Sequence, residues 1–232
     1  MFLTRKNFNK EPAEILKIIP EEPLDLRFWN CVLIGSAGSL TGSKQGREFD
    51  SHDAVLRLNQ APATEDFTED VNRRVDFRLL NKRWGVAYDT KKHYKVILND
   101  PHNMTLVATR AGPGNFLKLK KRANELGMKN NMLFMRGNAF KATQDALLAS
   151  TEALKVALGE QLASPNERNS ATTGLLGMFV LLEMCDSLDR FGFAFDSCDP
   201  ACSSAVTYHY FTRKNYTEAL LSSTHPSHSY LV

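Results

Sequence analysis

The first place where the sequence suggests chemistry is a turn of small residues after a strongly apolar run. Residues 31–34, Cys-Val-Leu-Ile, predict a buried parallel strand, and residues 35–46 then contain four glycines. Glycine lets backbone N–H groups approach a ligand closely, and successive N–H groups can hold an anion. The turn therefore predicts an anion-binding loop. Such turns also serve simply to connect a strand to a helix, so further residues are needed to decide.

The segment after the turn carries polar side chains to the end of a second predicted strand. Apolar and polar residues alternate over residues 55–59, and a two-residue period is typical of a strand that ends here at Asn59. Written as patterns, the two pieces are C-x-x-x-G-x-x-G-x-L and D-S-H-D-x-V-x-R-x-N-x-A-P. Together they resemble the large sialylmotif of the eukaryotic sialyltransferases over residues 31–62.

A second polar cluster precedes the most apolar predicted helix, over residues 175–188. Thr172 or Thr173 occupies the N-cap position, and Gly174 lies in the first turn. The free N–H groups at such a helix start can hold a carboxylate or a phosphate, although a capped core helix followed by a strand explains the same residues. The pattern T-T-G, then C-D-x-x-D-x-x-G-F after ten residues, resembles the small sialylmotif of the same family.

The resemblance implies a disulfide between the two motifs. In the family, the cysteine of the small motif is bonded to the cysteine that opens the large motif, and these positions are Cys31 and Cys185 here. A bridge that closes so long a loop contributes on the order of 4 kcal/mol to stability. The sequence leaves open whether Cys198 and Cys202 pair with each other or stay free. It predicts no metal site, because it has no C-x-x-C pair and no histidines at zinc spacing.

Two further histidine-containing segments resemble the remaining motifs of the family. Residues 206–211, Val-Thr-Tyr-His-Tyr-Phe, resemble the third motif, which implies that His209 and Tyr210 approach the donor phosphate. The last motif places a histidine, the general base, five residues before a glutamate. His228 fits if that glutamate lies beyond the last residue, and we prefer it to His225, which has a tyrosine at that distance. We therefore expect the chain to be incomplete at its C-terminus.

The resemblance implies an inverting transfer of sialic acid from CMP-sialic acid to a hydroxyl group of a glycan acceptor, without a cofactor or a metal. The chain contains no D-x-D triad, in agreement with metal independence. The sugar leaves through an oxocarbenium-like transition state, and a histidine can remove the acceptor proton. His228 and His209 are the expected catalytic residues. The expected donor contacts are Ser36, Gly38, Ser39, Asn59, Thr172, Thr173, Gly174 and Tyr210.

The turn departs from the family and leaves an alternative function open. The family turn reads G-N-S-G-N, whereas this chain has serines at positions 36 and 39. Serine lacks the paired donor and acceptor of an amide. The alternative is therefore a catalytically impaired sialyltransferase-like protein that binds a nucleotide or a glycan without turnover. A dinucleotide-binding oxidoreductase is disfavoured, because the turn is not G-x-G-x-x-G and Asn59, not an acid, ends the second strand.

The alternation of strands and helices predicts an α/β fold, a Rossmann-like, mostly parallel sheet flanked by helices. By resemblance this is the sialyltransferase variant of the GT-A fold. Residues 63–72 are expected to form a surface loop. The predicted strands are residues 31–34, 55–59, 75–80, 94–98 and 132–135. The predicted helices are residues 115–127, closed by Gly127, 140–162 and 175–188.

Length and composition predict one domain. Residues 1–25 form a polar lead-in, and residues 26–232 form a single catalytic domain with an incomplete C-terminus. A net charge of +3 is too weakly basic to predict a nucleic-acid partner. No run of about twenty apolar residues occurs, and the start does not resemble a signal peptide. The family implies the Golgi lumen, with membrane contact only through an anchor that this chain does not contain.

Overall fold

The computed structural model describes residues 2, 4–7, 13–87, 104–125, 131–135, 137–158, 171–193 and 207–211. The strands are β1 (Phe28–Ile34), β2 (Ala54–Leu58), β3 (Phe77–Leu80), β4 (Thr105–Ala108), β5 (Asn131–Phe134) and β6 (Cys185–Phe191). The helices are α1 (Ala13–Leu16), α2 (Gly46–Asp50), α3 (Thr68–Val71), α4 (Lys82–Ala87), α5 (Pro113–Glu125), α6 (Gly137–Leu158) and α7 (Thr173–Leu182). In this part of the chain, all strands form one parallel sheet in the order β5-β4-β3-β2-β1-β6. The predicted α/β class is confirmed.

Hydrophobic side chains cover both faces of the sheet, as is usual for parallel strands. One face packs against α6 and α7 through a core that includes Leu33, Leu56 and Val180. The opposite face is covered in two parts. Helices α2 and α3 lie over β1 and β2, while α1 and α5 lie over β3, β4 and β5. The sheet is therefore the middle of three layers, and polar side chains gather where the strands end.

Two arginines lie side by side inside the sheet. Arg57 of β2 is in register with Arg78 of β3, and their exposed fractions are 0% and 1%. Arg57 Nε donates to the carbonyl of Arg74 at 2.9 Å. Arg78 Nη1 donates to the carbonyls of Asn59 and Ala61 at 2.7 and 3.0 Å. Each guanidinium thus satisfies loop carbonyls that would otherwise be buried without a partner. Strand β2 is therefore buried on both faces although it contains Arg57.

The apolar run that predicts one helix over residues 175–188 divides into a helix and a strand. Helix α7 ends at Leu182, and β6 begins at Cys185. The N–H of Phe28 donates to the carbonyl of Met184 at 2.8 Å, so pairing with β1 begins directly after the helix. The predicted helix end was wrong because hydrophobic residues continue across the boundary with no glycine or proline to mark it.

Other predicted elements differ at their ends or in kind. Residues 63–72 are not a plain surface loop, since they form a 3₁₀ turn at Glu65–Phe67 and then α3, whose Val71 is buried against β1 and β2. Strand β4 was not predicted from the sequence. The predicted strand at residues 94–98 and Gly127 lie outside the described residues. Among the helices that are described, none is both long and apolar enough to cross a membrane.

Strand β6 is attached to β1 by backbone pairing and by a disulfide. The pairing extends to Ile34 opposite Phe191, at the carboxyl ends of both strands. Cys31 and Cys185 form the predicted disulfide, with 1.93 Å between the sulfur atoms and 6.0 Å between the Cα atoms. This bond joins positions 154 residues apart in the sequence. It therefore fixes the edge strand β6 to its neighbour β1 and restricts the unfolded chain strongly.

We expect that replacing both cysteines, Cys31→Ala with Cys185→Ala, destabilises the protein. The lost restriction on the unfolded chain corresponds to about 3–5 kcal/mol, and this lowers the melting temperature by about 10 °C. Thermal unfolding followed by circular dichroism measures the change. As a control, dithiothreitol should lower the melting temperature of the original protein but not that of the double variant. Equal melting temperatures for the two proteins would contradict the stabilising role.

Candidate functional site

The polar residues that the sequence singled out collect at the carboxyl ends of the strands. Because all strands of the sheet are parallel, these ends share one side of the molecule. The loop after β1 (residues 35–46, here the β1 loop), Asn59 after β2 and Asn81 after β3 all lie there. Strands β1 to β5 lie next to one another in chain order, whereas β6 pairs with the other side of β1. The strand order therefore reverses at β1. Ligands of α/β proteins bind at such a reversal, outside the carboxyl ends.

The glycines of the β1 loop are needed for contacts within the protein. The N–H of Gly35 donates to Phe191 O at 2.7 Å, and a Cβ atom at Gly35 would lie 2.2 Å from the carbonyl oxygen of Gly192. A Cβ atom at Gly38 would lie 1.9 Å from the carbonyl oxygen of Thr207. From the sequence, we expected these glycines to let backbone N–H groups approach an anion. In the structure, Gly35 and Gly38 instead let other backbone segments approach.

The segment of residues 207–211, here the histidine segment, binds to the β1 loop through Ser36. His209 Nδ1 lies 2.9 Å from Ser36 Oγ and 3.1 Å from Ser36 O. The N–H of Tyr210 also donates to Ser36 O, at 3.1 Å. A carbonyl oxygen can only accept, so the ring donates to Ser36 O in the tautomer that has its proton on Nδ1.

Aromatic rings fix the orientation of His209. The ring of Phe211 is stacked on His209 at a centroid distance of 5.0 Å and an interplanar angle of 9°. Tyr208 lies on another side, with 4.3 Å between ring centroids, and burial raises the pKa of its phenol. The hydroxyl of Tyr210, a buried side chain, donates to the carbonyl of Pro62 after β2. The histidine segment is therefore held both to the β1 loop and to the end of β2.

Asn59 has a backbone conformation that few residues adopt, with φ = +48°. Its N–H donates to Leu79 O at 2.8 Å, and its carbonyl accepts from the buried Arg78. Its side-chain oxygen accepts from the N–H of Asn81 at 3.1 Å. Asn59 is thus fixed by hydrogen bonds from the neighbouring strand. Its position at the end of β2 agrees with the prediction that the strand ends there.

Asn81, which the sequence analysis missed, joins the end of β3 to the start of α7. Its side-chain nitrogen donates to Thr173 Oγ1 at 3.4 Å, and its side-chain oxygen accepts from the N–H of Trp84 at 3.1 Å. With the bond from its N–H to Asn59, Asn81 connects two predicted donor-binding residues that are far apart in the sequence. An asparagine between a predicted strand and a helix is a typical helix-capping residue, and that was the available signal.

The start of α7 has the predicted cap. Thr172 Oγ1 accepts from the N–H of Leu175 at 3.1 Å, so Thr172 is the N-cap and Thr173 is the first helical residue. A Cβ atom at Gly174 would lie 2.6 Å from the ring of Phe193, which follows β6. The ring of Phe193 therefore packs directly against Gly174 at the start of the helix. The first N–H groups of a helix have no partner within it, and α7 begins at Thr173, beside Asn81.

His52 shows that part of the large motif holds the structure together and lies away from this side. It is 6% exposed, its Nδ1 lies 3.0 Å from Glu48 O, and its Nε2 lies 3.1 Å from Asp189 Oδ2. The His52 ring therefore connects the end of α2 to the side chain of Asp189. Because Asp189 belongs to β6, this contact is another link between the large and small motifs.

The remaining predicted residues lie outside the described part of the chain. These are the two candidate bases, His225 and His228, and the cysteines Cys198 and Cys202. Over the ranges that the structure does describe, no group of three or more histidine, cysteine, aspartate or glutamate side chains is arranged to hold a metal ion.

The chain matches known proteins over almost its whole length. A family model described as glycosyltransferase family 29 (sialyltransferase) matches residues 3–230. Sialyltransferase-like protein 2 of Arabidopsis thaliana is 27% identical over 202 residues, which cover 86% of this chain and 38% of that protein. Beta-galactoside alpha-2,6-sialyltransferase 1 of Mus musculus is 27% identical over 217 residues, which cover 84% of this chain and 50% of that protein. The chain therefore spans half or less of the length of these relatives.

A solved structure has the same fold. It is the crystal structure of a mammalian sialyltransferase in complex with Gal-beta-1-3GalNAc-ortho-nitrophenol. The TM-score is 0.61 at 20% sequence identity, and the match covers 95% of this chain and 86% of the other. At this identity the likeness establishes the arrangement of the sheet and its helices.

We expect Gly38→Ala to release the histidine segment from the β1 loop. The new methyl group overlaps the carbonyl of Thr207, so one backbone must move, at a cost of about 2 kcal/mol. Hydrogen–deuterium exchange at the N–H of Tyr210, which donates to Ser36, should become faster. Gly114→Ala is the matched control, because a Cβ atom there has nothing within 4 Å. Unchanged exchange at Tyr210 in Gly38→Ala would show that the segment does not pack on the loop.

Proposed function

The chain belongs to glycosyltransferase family 29, the sialyltransferases, and we propose that it transfers sialic acid from CMP-sialic acid to a hydroxyl group of a glycan acceptor. The observation that carries the proposal is the 2.9 Å contact between Ser36 and His209. It brings the loop of the large motif to the histidine of the third motif. The bond from Asn81 to Thr173 adds the start of the small motif to the same side.

We divide the proposed donor site on this side of the sheet into two parts, one for the cytidylate and one for the sialic acid. We assign the cytidylate to the β1 loop, where Ser36 is half-buried, Gly38 is buried and Ser39 is exposed, and to Asn59 at the end of β2. We assign the carboxylate of sialic acid to Thr172, Thr173 and Gly174. The positive end of the α7 dipole and the free N–H groups of its first turn favour an anion there.

His209 is suited to stabilise the departing CMP. With Nδ1 donating to Ser36, a protonated Nε2 can donate to a phosphate oxygen as negative charge develops on it. Tyr210 is 7% exposed and its hydroxyl donates to Pro62. This arrangement favours a supporting role for Tyr210 beneath His209 over the direct phosphate contact that the sequence predicts.

The transfer we propose is inverting and does not use a metal ion. His228 takes the proton of the acceptor hydroxyl as it attacks the face of the sugar opposite to CMP, and His225 is the second choice for this base. The sequence supports metal independence because it contains no D-x-D triad. On this proposal His209 and backbone N–H groups take the place of a metal at the phosphate.

The names of the relatives and the disulfide support an acceptor class and a compartment. Several relatives are named as beta-galactoside alpha-2,6-sialyltransferases, so we propose a galactose-terminated glycan as the acceptor. The disulfide between Cys31 and Cys185 is suited to an oxidising compartment, which supports the Golgi lumen. We also propose that residues 26–232 form one catalytic domain preceded by a lead-in.

A second candidate is a protein that binds the nucleotide or a glycan without turnover. The observation that favours it is that Ser36, where the family has an asparagine, directs its hydroxyl to His209. A serine in this position offers a ligand fewer hydrogen-bonding groups than an amide. Binding of the donor would then be weaker than in the family at large.

The expected result for the transferase is release of CMP from CMP-sialic acid when a galactose-terminated acceptor is added in EDTA. His228→Ala should lower kcat at least about 100-fold with little change in the KM of the donor, because the base acts only in the transition state. His225→Ala is the matched control and should keep activity close to that of the original protein. Release of CMP and formation of the sialylated product are both measured by chromatography.

The other outcomes distinguish the candidates. If His225→Ala loses activity and His228→Ala does not, His225 is the base. Saturable binding of CMP without any turnover would support the binding protein instead. Turnover that requires a divalent metal ion would contradict the metal-independent mechanism.

A further inference from the structure

We propose that Arg110 and Gln144, which lie outside all four sequence motifs, are positioning residues for the sialic acid part of the donor. They hold the peptide groups of Ala171, directly before the N-cap of α7, and so determine where the first turn of α7 presents its N–H groups. This inference rests on the proposed function, since it specifies how the site for the sialic acid carboxylate is built.

Arg110 is directed to α7 by the way β4 ends. Thr109 is bound to the end of β3, because its N–H and its hydroxyl both donate to Leu80 O, at 2.9 and 3.1 Å. Arg110 follows with φ = +52°, which turns the chain out of the strand. Its guanidinium then donates from Nη2 to the carbonyl of Ala171. A strained conformation of this kind is kept where the surrounding structure requires the side chain in a particular place.

A ring of α6 fixes the guanidinium. The central carbon of the Arg110 guanidinium lies 4.9 Å from the centroid of the Phe140 ring. Cation–π contact and the planar shape of the group restrict its orientation. Burial lowers the pKa of Arg110, but a guanidinium stays protonated at neutral pH. A positive charge is therefore held beside the start of α7.

Gln144 holds the other side of Ala171. Its side-chain oxygen accepts from the N–H of Ala171 at 3.1 Å, while Arg110 binds the carbonyl of the same residue. Ala171 is 1% exposed, so water is not available as a substitute partner. The next residue, Thr172, is the N-cap. A shift of Ala171 would therefore move the cap and the free N–H groups together.

The two parts of the donor depend on different elements. The proposed contacts to cytidylate come from the β1 loop and Asn59, which are held by β6 and by the buried Arg78. The proposed contacts to the carboxylate come from the start of α7, which is held by Arg110 and Gln144. Weakening this second support should reduce affinity for CMP-sialic acid and leave affinity for CMP, which has no carboxylate, almost unchanged.

The test compares binding of CMP with binding of the unreactive donor analogue CMP-3-fluorosialic acid by titration calorimetry. We expect Arg110→Gln to weaken binding of the analogue about tenfold and binding of CMP less than twofold. Arg110→Lys should recover part of the loss, because it keeps the charge but not the planar fork. Gln144→Ala should act in the same direction. Lys141→Gln is the matched control on α6, because its side chain is exposed and pairs with Asp145.

Circular dichroism establishes that each variant is folded, and Gln144→Ala decides the question if Arg110→Gln does not fold. Equal losses for CMP and for the analogue would overturn the inference, because the residues would then support the whole site. No loss for either ligand would also overturn it. If the original protein binds neither ligand, the proposed function fails, and this inference fails with it.

Discussion

The attachment of β6 to β1 is the constraint on which the rest of the structure depends. Strand β6 comes about 150 residues after β1 in the chain, yet the two are paired in parallel and joined by the disulfide between Cys31 and Cys185. The hydrogen bond between His52 and Asp189 and the bond from the β1 loop to Gly192 hold the same two elements together. The pairing of β6 with β1 begins directly after α7, and so it also fixes where α7 ends. The small motif, which includes α7 and β6, therefore lies beside the large motif. The site is a consequence of this arrangement.

Several residues near the ends of the strands support the backbone. Arg57 and Arg78 are buried and donate to loop carbonyls. Gly35 and Gly174 are small because the residues at the end of β6 pack against them. These roles leave a short set of groups for the proposed site, namely Ser36, Ser39, Asn59, His209 and the first turn of α7. Rigid support from the interior is what a site needs if it is to hold a ligand in one geometry.

The support comes from different elements for different parts of the site. The ends of β1 and β2 are fixed by β6, the histidine segment and the buried arginines, whereas the start of α7 is fixed from α6 and the end of β4. Asn81 is the link between the two, since it bonds to Asn59 on one side and to Thr173 on the other. A site built in this way can lose affinity for one part of a ligand while it keeps affinity for the other.

The sequence by itself determined the fold class, the main strands, an N-cap at Thr172 or Thr173 and, through its resemblance to a family, the disulfide. These features depend on local periodicity, on capping chemistry and on motifs that are contiguous in the chain. The tertiary structure alone decided that α7 stops at Leu182, that Gly35 and Gly38 contact protein backbone, and that Asn81 and Arg110 bond to residues at the start of α7. Their partners are brought near only when the sheet forms. No pattern along the chain records contacts between such distant residues.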